Sequence, residues 1–186
     1  MSAYNRHKEK SISGINFFAI GLTSSISVIT TDVNGYIDTF DDGSNFSFKQ
    51  IEADVDGMHF TNEGKNAKTG VLLNPKMIVK LTVANQTTAN KLIKSLNDIV
   101  SQGLTFIYGD NNKNAFLVGY PLDIIEADRD IQTFDYSFDS GENIQEDGKQ
   151  LITLTFSATN ISNLLQFDII NSTEIFSKVS TFIDYV

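Results

Sequence analysis

His7 and His59 are the only imidazoles among the 186 residues, and the chain contains no cysteine. Thiolate metal sites, disulfides and cysteine nucleophiles are thereby excluded. His7 sits in a polar N-terminal stretch and His59 in Gly57-Met58-His59-Phe60, so neither belongs to a zinc spacing or an HExxH pair. Glu52, Asp54, Asp56, Gly57 and Glu63 match part of the calcium-loop pattern. Glu stands where that loop begins with Asp, His59 takes the aliphatic eighth position, and the flanks alternate as strands do. The segment therefore reads as a turn between strands. No glycine-rich phosphate loop and no GxSxG elbow occurs. A pair of acids working as in a glycosidase is the one catalytic arrangement that sequence leaves open. No cofactor or metal is implied.

Carboxylates are the abundant chemistry, and they are unevenly placed. Residues 121–150 hold nine acids against Arg129 and Lys149, a net of −7 out of −9 for the whole chain. A protein that binds DNA through its phosphates needs the opposite sign, so the charge balance argues against sequence-specific DNA binding. The concentration reads either as a solvated face or as a negative surface that a partner meets.

The elements that must position these groups are mostly strands. Apolar residues make up 41% and charged residues 20%, which suits one folded domain with a core. No apolar run approaches a membrane span. Residues 1–14 read as an arm, in preference to a signal peptide. Leu22 to Asp32 has strand composition, and Asn34-Gly35 marks a hairpin turn leading to Tyr36–Phe40. Residues 41–45 form a second turn, Phe46 and Phe48 alternate with polar neighbours, and residues 61–70 read as a polar, flexible segment. Met77 to Ala84 alternates again. Between Thr87 and Val100 the apolar spacing changes to three and four, at Ala89, Leu92, Ile93, Leu96, Ile99 and Val100, which predicts a helix closed by Gly103. Strands resume at Leu104–Tyr108, Ala115–Tyr120, Ile131–Phe138 and Leu151–Phe156, with Asp110–Asn114 as a turn and residues 140–150 as a polar loop. A C-terminal helix is expected around Phe176, Val179 and Phe182. The predicted fold class is α+β: a mostly antiparallel β-sandwich or barrel with one flanking helix at about 87–100.

The order of these elements resembles a tail tube protein of contractile-tailed phages, a fold shared with contractile injection systems. The stretch Thr31-Asp32-Val33-Asn34-Gly35-Tyr36, the strand Met77–Val83, the helix around Ala89–Leu96, the strand Gly103–Asp110 and its return through Ala115–Tyr120 carry the likeness. It is a likeness of pattern from about Ser27 to Ser157. It implies a tube-like β domain over residues 22–159, an N-terminal arm over 1–21 and a C-terminal extension over 160–186.

The resemblance further implies a structural virion subunit without enzymatic activity, assembled in the host cytoplasm into hexameric rings that stack as a hollow tube. Its partners would be its own copies and the sheath and baseplate proteins, with DNA passing through unbound and no membrane contact. An acidic lumen would repel DNA, and Asp123, Asp128, Asp130 and Asp135 are the candidate lumen acids. Asp41, Asp42, Asn45, Lys65, Asn66, Lys68, Glu142, Glu146 and Asp147 are the candidate loop residues that reach a neighbour. A baseplate-proximal tube initiator and an injection-system tube subunit fit the same pattern. A carbohydrate-binding or adhesion sandwich is the alternative of another class, weakened by the absence of tryptophan.

Overall fold

A computed structural model describes residues 14–41, 48–53, 57–67, 70–83, 86–120, 133–139, 150–158, 164–178 and 180–181. The strands are β1 (Ile15–Leu22), β2 (Val28–Thr31), β3 (Ile37–Asp41), β4 (Lys49–Gln50), β5 (Met58–Ala67), β6 (Gly70–Val83), β7 (Leu104–Asp110), β8 (Ala115–Val118), β9 (Thr133–Asp139), β10 (Gln150–Ser157), β11 (Leu165–Gln166) and β12 (Ser180–Thr181). Helix α1 spans Gln86–Val100, and a shorter α2 spans Ile169–Lys178. Among the described residues a six-stranded sheet runs β11-β8-β7-β1-β4-β12, a four-stranded sheet runs β5-β6-β10-β9, and β2 pairs with β3. The strand pairings are antiparallel except β4 with β12, and a single parallel bridge joins Ile37 of β3 to Phe167. The architecture is therefore α+β, with packed antiparallel sheets and one main flanking helix, as the hydrophobic pattern predicts.

Two apolar clusters sit on opposite faces of the six-stranded sheet. Phe18 and Ile20 of β1 and Phe106 and Tyr108 of β7 point into a cluster shared with β6, β10 and α1. Phe17, Ala19 and Ile107 point the other way, into a cluster with Ile26, Ile37, Phe48, Leu165, Phe167 and Ile175. Successive strand residues alternate faces, so a strand packed on both sides is apolar without alternation. Phe17–Ile20 and Leu104–Gly109 are buried throughout.

Residues 15–21, expected within an arm, are thus a central strand of the larger sheet. The strand expected from Leu22 to Asp32 is interrupted: β1 ends at Leu22, a 3-10 turn covers Thr23–Ser25, and β2 begins at Val28. The C-terminal segment is tied to the core as well. Phe176 of α2 meets the Phe17 ring edge-on at 4.9 Å and fills the space above Gly109, where a Cβ would lie 2.6 Å from its ring.

Helix α1 buries Ala89, Leu92, Ile93 and Leu96 as its spacing predicts. After it, Gly103 takes φ +91° and turns the chain into β7, a conformation that costs glycine little. The one buried polar side chain among the described residues, Thr105, is satisfied. Its hydroxyl donates to the Gly119 carbonyl at 3.1 Å, which leaves Thr23 to donate to it at 2.8 Å.

The turns at Asp32–Tyr36 and Asp110–Asn114 share one construction. Asp32 Oδ1 accepts the N–H groups of Asn34 and Tyr36 at 2.8 and 2.9 Å. Asp110 Oδ1 accepts those of Asn112 and Asn114 at the same distances. The fourth residue has positive φ in both: Gly35 at +83° and Lys113 at +67°. Lys113 is the only non-glycine with positive φ among the described residues, so Asn34 does not share that conformation with Gly35. The Asn-Gly signal marks the hairpin correctly but in a wider turn than a two-residue one.

Candidate functional site

The four-stranded sheet has one face on the core and one whose described side chains are exposed or half-exposed. Residues directly opposite in a ladder share a face. Phe60, Met77 and Phe156 form one inward row, and Met58, Val79 and Leu154 the next. The intervening residues face outward: Lys80, Thr153 and Ser137 in one row, and His59, Ile78, Thr155 and Asp135 in another. None of these outward residues is buried. Branched hydroxyl residues at alternate positions suit such a surface, because threonine keeps the strand extended while leaving a wettable group outside.

Lys76, Lys80 and Asp135 are charged residues described on this face, and Glu63 lies farther along, where β5 pairs with β6 opposite Asn74. Of the four candidate lumen acids, the structure places Asp135 here, exposed on β9. Asp123, Asp128 and Asp130 lie outside the described residues. Lys76 and Lys80 were not singled out from sequence. Their alternation with Met77, Val79 and Leu81 was the signal that would have put them on the outward face.

Among the described residues both borders of the sheet are strand edges: β5 pairs with β6 alone and β9 with β10 alone. At about 3.4 Å per residue, β5 presents roughly 34 Å of edge and β9 roughly 24 Å. An edge strand carries a row of peptide groups available to another chain. Tyr136 lies opposite Leu154 and so on the core side of β9, yet 52% of it is exposed, because β9 is the outermost strand.

The segment 61–70, expected as a flexible polar loop, is strand apart from its turn. β5 continues to Ala67 and pairs residue by residue with β6 from Gly70. Backbone pairing orders these polar residues. The ladder between β6 and β10 stops at Lys76, with a last bond from the Ala158 N–H to the Pro75 carbonyl. Pro75 has no N–H to extend a ladder, and beyond it β5 and β6 are a two-stranded ribbon among the described residues. Lys65 and Asn66 lie in that ribbon, not in a loop. Asp41 closes β3, its carbonyl accepting the Ser27 N–H at 2.8 Å. The other candidate loop residues, Asp42, Asn45, Lys68, Glu142, Glu146 and Asp147, lie outside the described residues.

Of the calcium-loop candidates, residues 54–56 are outside the described set, and Glu63 is a ladder residue opposite Asn74. Among the described residues no group of three His, Asp or Glu side chains is placed to hold a metal. No described helix is long and apolar enough to cross a membrane.

No family model matches the chain, and comparison with curated proteins and with solved structures finds no match.

Proposed function

We propose that this chain is a structural subunit that assembles with its own copies into rings, and that the rings stack into the tube of a contractile-type phage tail. The observation that supports the reading is the four-stranded sheet, with one face outside the core and, among the described residues, an unpaired edge at each border. Joining β5 of one copy to β9 of the next is a head-to-tail contact, and head-to-tail contacts generate rings when the rotation closes. The sheets then become one continuous wall, and the uncovered faces become one surface of that wall.

In this reading the hydroxyl-rich face lines a conduit through which DNA passes without being held. Repulsion of DNA in this reading draws on the acid-rich stretch 121–150, of which Asp135 is described on this face. Sheath and baseplate proteins are the expected outer partners, and hexameric rings the expected symmetry.

Tyr136 tests the edge. Tyrosine is enriched among the residues that carry most of the binding energy of protein interfaces. In Tyr136→Ala the monomer should keep its far-UV circular dichroism and its melting behaviour, while sedimentation at high concentration shifts from rings to monomers. A wild-type chain that sediments as a monomer at every concentration would overturn the proposal.

A further inference from the structure

The turns at Asp32–Tyr36 and Asp110–Asn114 differ at a position that bears on chemistry. Asn34-Gly35 is the only Asn-Gly pair in the sequence, and the second turn carries Asn112-Lys113 in its place. In an Asn-Gly pair the peptide nitrogen after the asparagine can attack the side-chain amide carbon, because glycine has no Cβ to obstruct the approach. Here the Gly35 nitrogen would lose its proton and bond to Asn34 Cγ, and ammonia would leave with that proton. One water then opens the five-membered imide. Opening at Cγ gives an aspartate in the normal chain, and opening at the main-chain carbonyl gives an isoaspartate.

Both residues of the pair are exposed, and nothing lies within 4 Å of where a Gly35 Cβ would stand, so water reaches the site. The turn itself holds the reacting atoms apart. The Gly35 N–H donates to the Asp32 carbonyl at 3.0 Å, and Asn34 has no positive φ. Asn34 is therefore the second central residue of a type I turn, with ψ of about 0°. Ring closure needs the Gly35 nitrogen eclipsed with the Asn34 Cβ, a rotation about ψ that opens the turn. The Asp32 carboxylate resists that rotation: Oδ1 accepts the N–H groups of Asn34 and Tyr36 at 2.8 and 2.9 Å, and Oδ2 accepts the Asn34 side-chain N–H at 3.1 Å. The last bond pins the amide that has to swing towards Gly35. Asp110 holds its own turn likewise, its carbonyl accepting the Lys113 N–H at 3.1 Å and its Oδ2 the Asn112 side-chain N–H at 3.4 Å.

We propose that Asn34 is a site of spontaneous conversion to aspartate and isoaspartate, and that Asp32 is the positioning residue that sets its rate by holding the turn closed. Conversion removes the Asn34 amide donor and puts a second carboxylate beside Asp32. Asp32 stays charged, because the Tyr36 N–H above all holds its carboxyl below the usual range. Like charges this close repel, so the converted turn is weaker than the original.

Incubation in warm, mildly alkaline buffer followed by peptide mass mapping measures conversion at each asparagine. The amide-to-acid mass gain separates it from isomerisation at aspartates, which leaves the mass unchanged. The folded wild type should convert at Asn34, and unfolding in urea should speed this by about tenfold or more, since local opening of the turn no longer limits it. Asp32→Ala should raise the folded rate about fivefold, the worth of an aspartate that accepts backbone N–H groups, and leave the rate in urea unchanged. Lys113→Gly keeps the test decisive if that variant does not fold: Asn112, intact in the wild type over the same period, should convert at a rate comparable to that of Asn34. No conversion at Asn34 in the folded chain, equal rates in the folded and unfolded chains, an unchanged rate in folded Asp32→Ala, or an Asn112 that stays intact in Lys113→Gly each overturns the proposal.

Discussion

The two sheets are built from similar residues and are used differently. The six-stranded sheet is covered on both faces, and β1 and β7 in its middle are apolar on both sides. The four-stranded sheet is covered on one face, and β6 and β10 alternate between apolar and polar residues. The larger sheet holds the domain together, so changes there are felt as lost stability. The outer half of the smaller sheet contributes little to the domain's own core, which leaves its side chains free to serve contacts with other molecules.

The largest effects should come from the layer between the sheets. Phe106 is fully buried against Phe18, their ring centroids 5.4 Å apart, and Phe106→Ala should cost about 3–5 kcal/mol in denaturant unfolding. Leu96, fully buried on α1, should cost about 2–5 kcal/mol as alanine. A loss well under 1 kcal/mol at either position would show that this layer is not the principal core.

Tyr108 adds a pH dependence to the same layer. Its phenol is held protonated in the folded chain to a pH above its ordinary 10.0. The unfolded chain releases that proton first, so the stability linked to this group is complete below pH 10 and declines above it, by up to about 1.4 kcal/mol per pH unit. Tyr108→Phe should unfold less steeply than the wild type between pH 10 and 11. Parallel profiles would mean that the phenol is not buried as described.

The twin aspartate turns should give smaller changes, of opposite sign. Gly35→Ala places a Cβ on a residue with positive φ and should destabilise by about 1 kcal/mol. Lys113→Gly relieves the same conformation in the other turn and should stabilise by about 0.5 kcal/mol, the gain reduced by glycine's greater freedom when unfolded. Thermal melts of both variants decide this, and a destabilised Lys113→Gly would show that the lysine side chain matters more than its backbone.

The smallest effect on the isolated domain should come from the outward face. Thr155→Ser should alter unfolding by no more than about 0.5 kcal/mol. A larger loss would mean that this face is packed within the monomer, which would remove the contrast between the sheets.

Much of this contrast was legible in the sequence, for physical reasons that also explain what was not. Helix α1 announces itself because one face is buried and the period is 3.6. Leu151–Phe156 announces a half-covered strand because Thr153 and Thr155 alternate with Ile152, Leu154 and Phe156. Ile15–Leu22 was missed because burial on both sides erases the alternation, and the asparagine within it reads as an interruption. Residues 61–67 were missed because their order comes from pairing with residues 70–76, a relation between segments that local polarity does not report. The sheet edges were not legible either, since strand order is a property of topology. Within the candidate site, the exposure of Asp135 was foreseen, whereas its neighbours Lys76 and Lys80 emerge only once the register is known.

The central claim is that β5 of one copy continues the sheet of the next through β9, and engineered cysteines test it directly. The chain has no cysteine of its own, so any disulfide reports the introduced pair. Ser137→Cys on β9 is combined in turn with His59→Cys, Thr61→Cys or Glu63→Cys on β5, to scan the register. Within one chain the two edges are three strand spacings apart, roughly 14 Å, beyond the roughly 7 Å limit between the Cα atoms of a disulfide. Under mild oxidation at high concentration, one of these pairs should give a denaturation-resistant ladder of oligomers ending in a closed ring. Monomer alone from all three pairs, under conditions where the chain is assembled, would contradict the account.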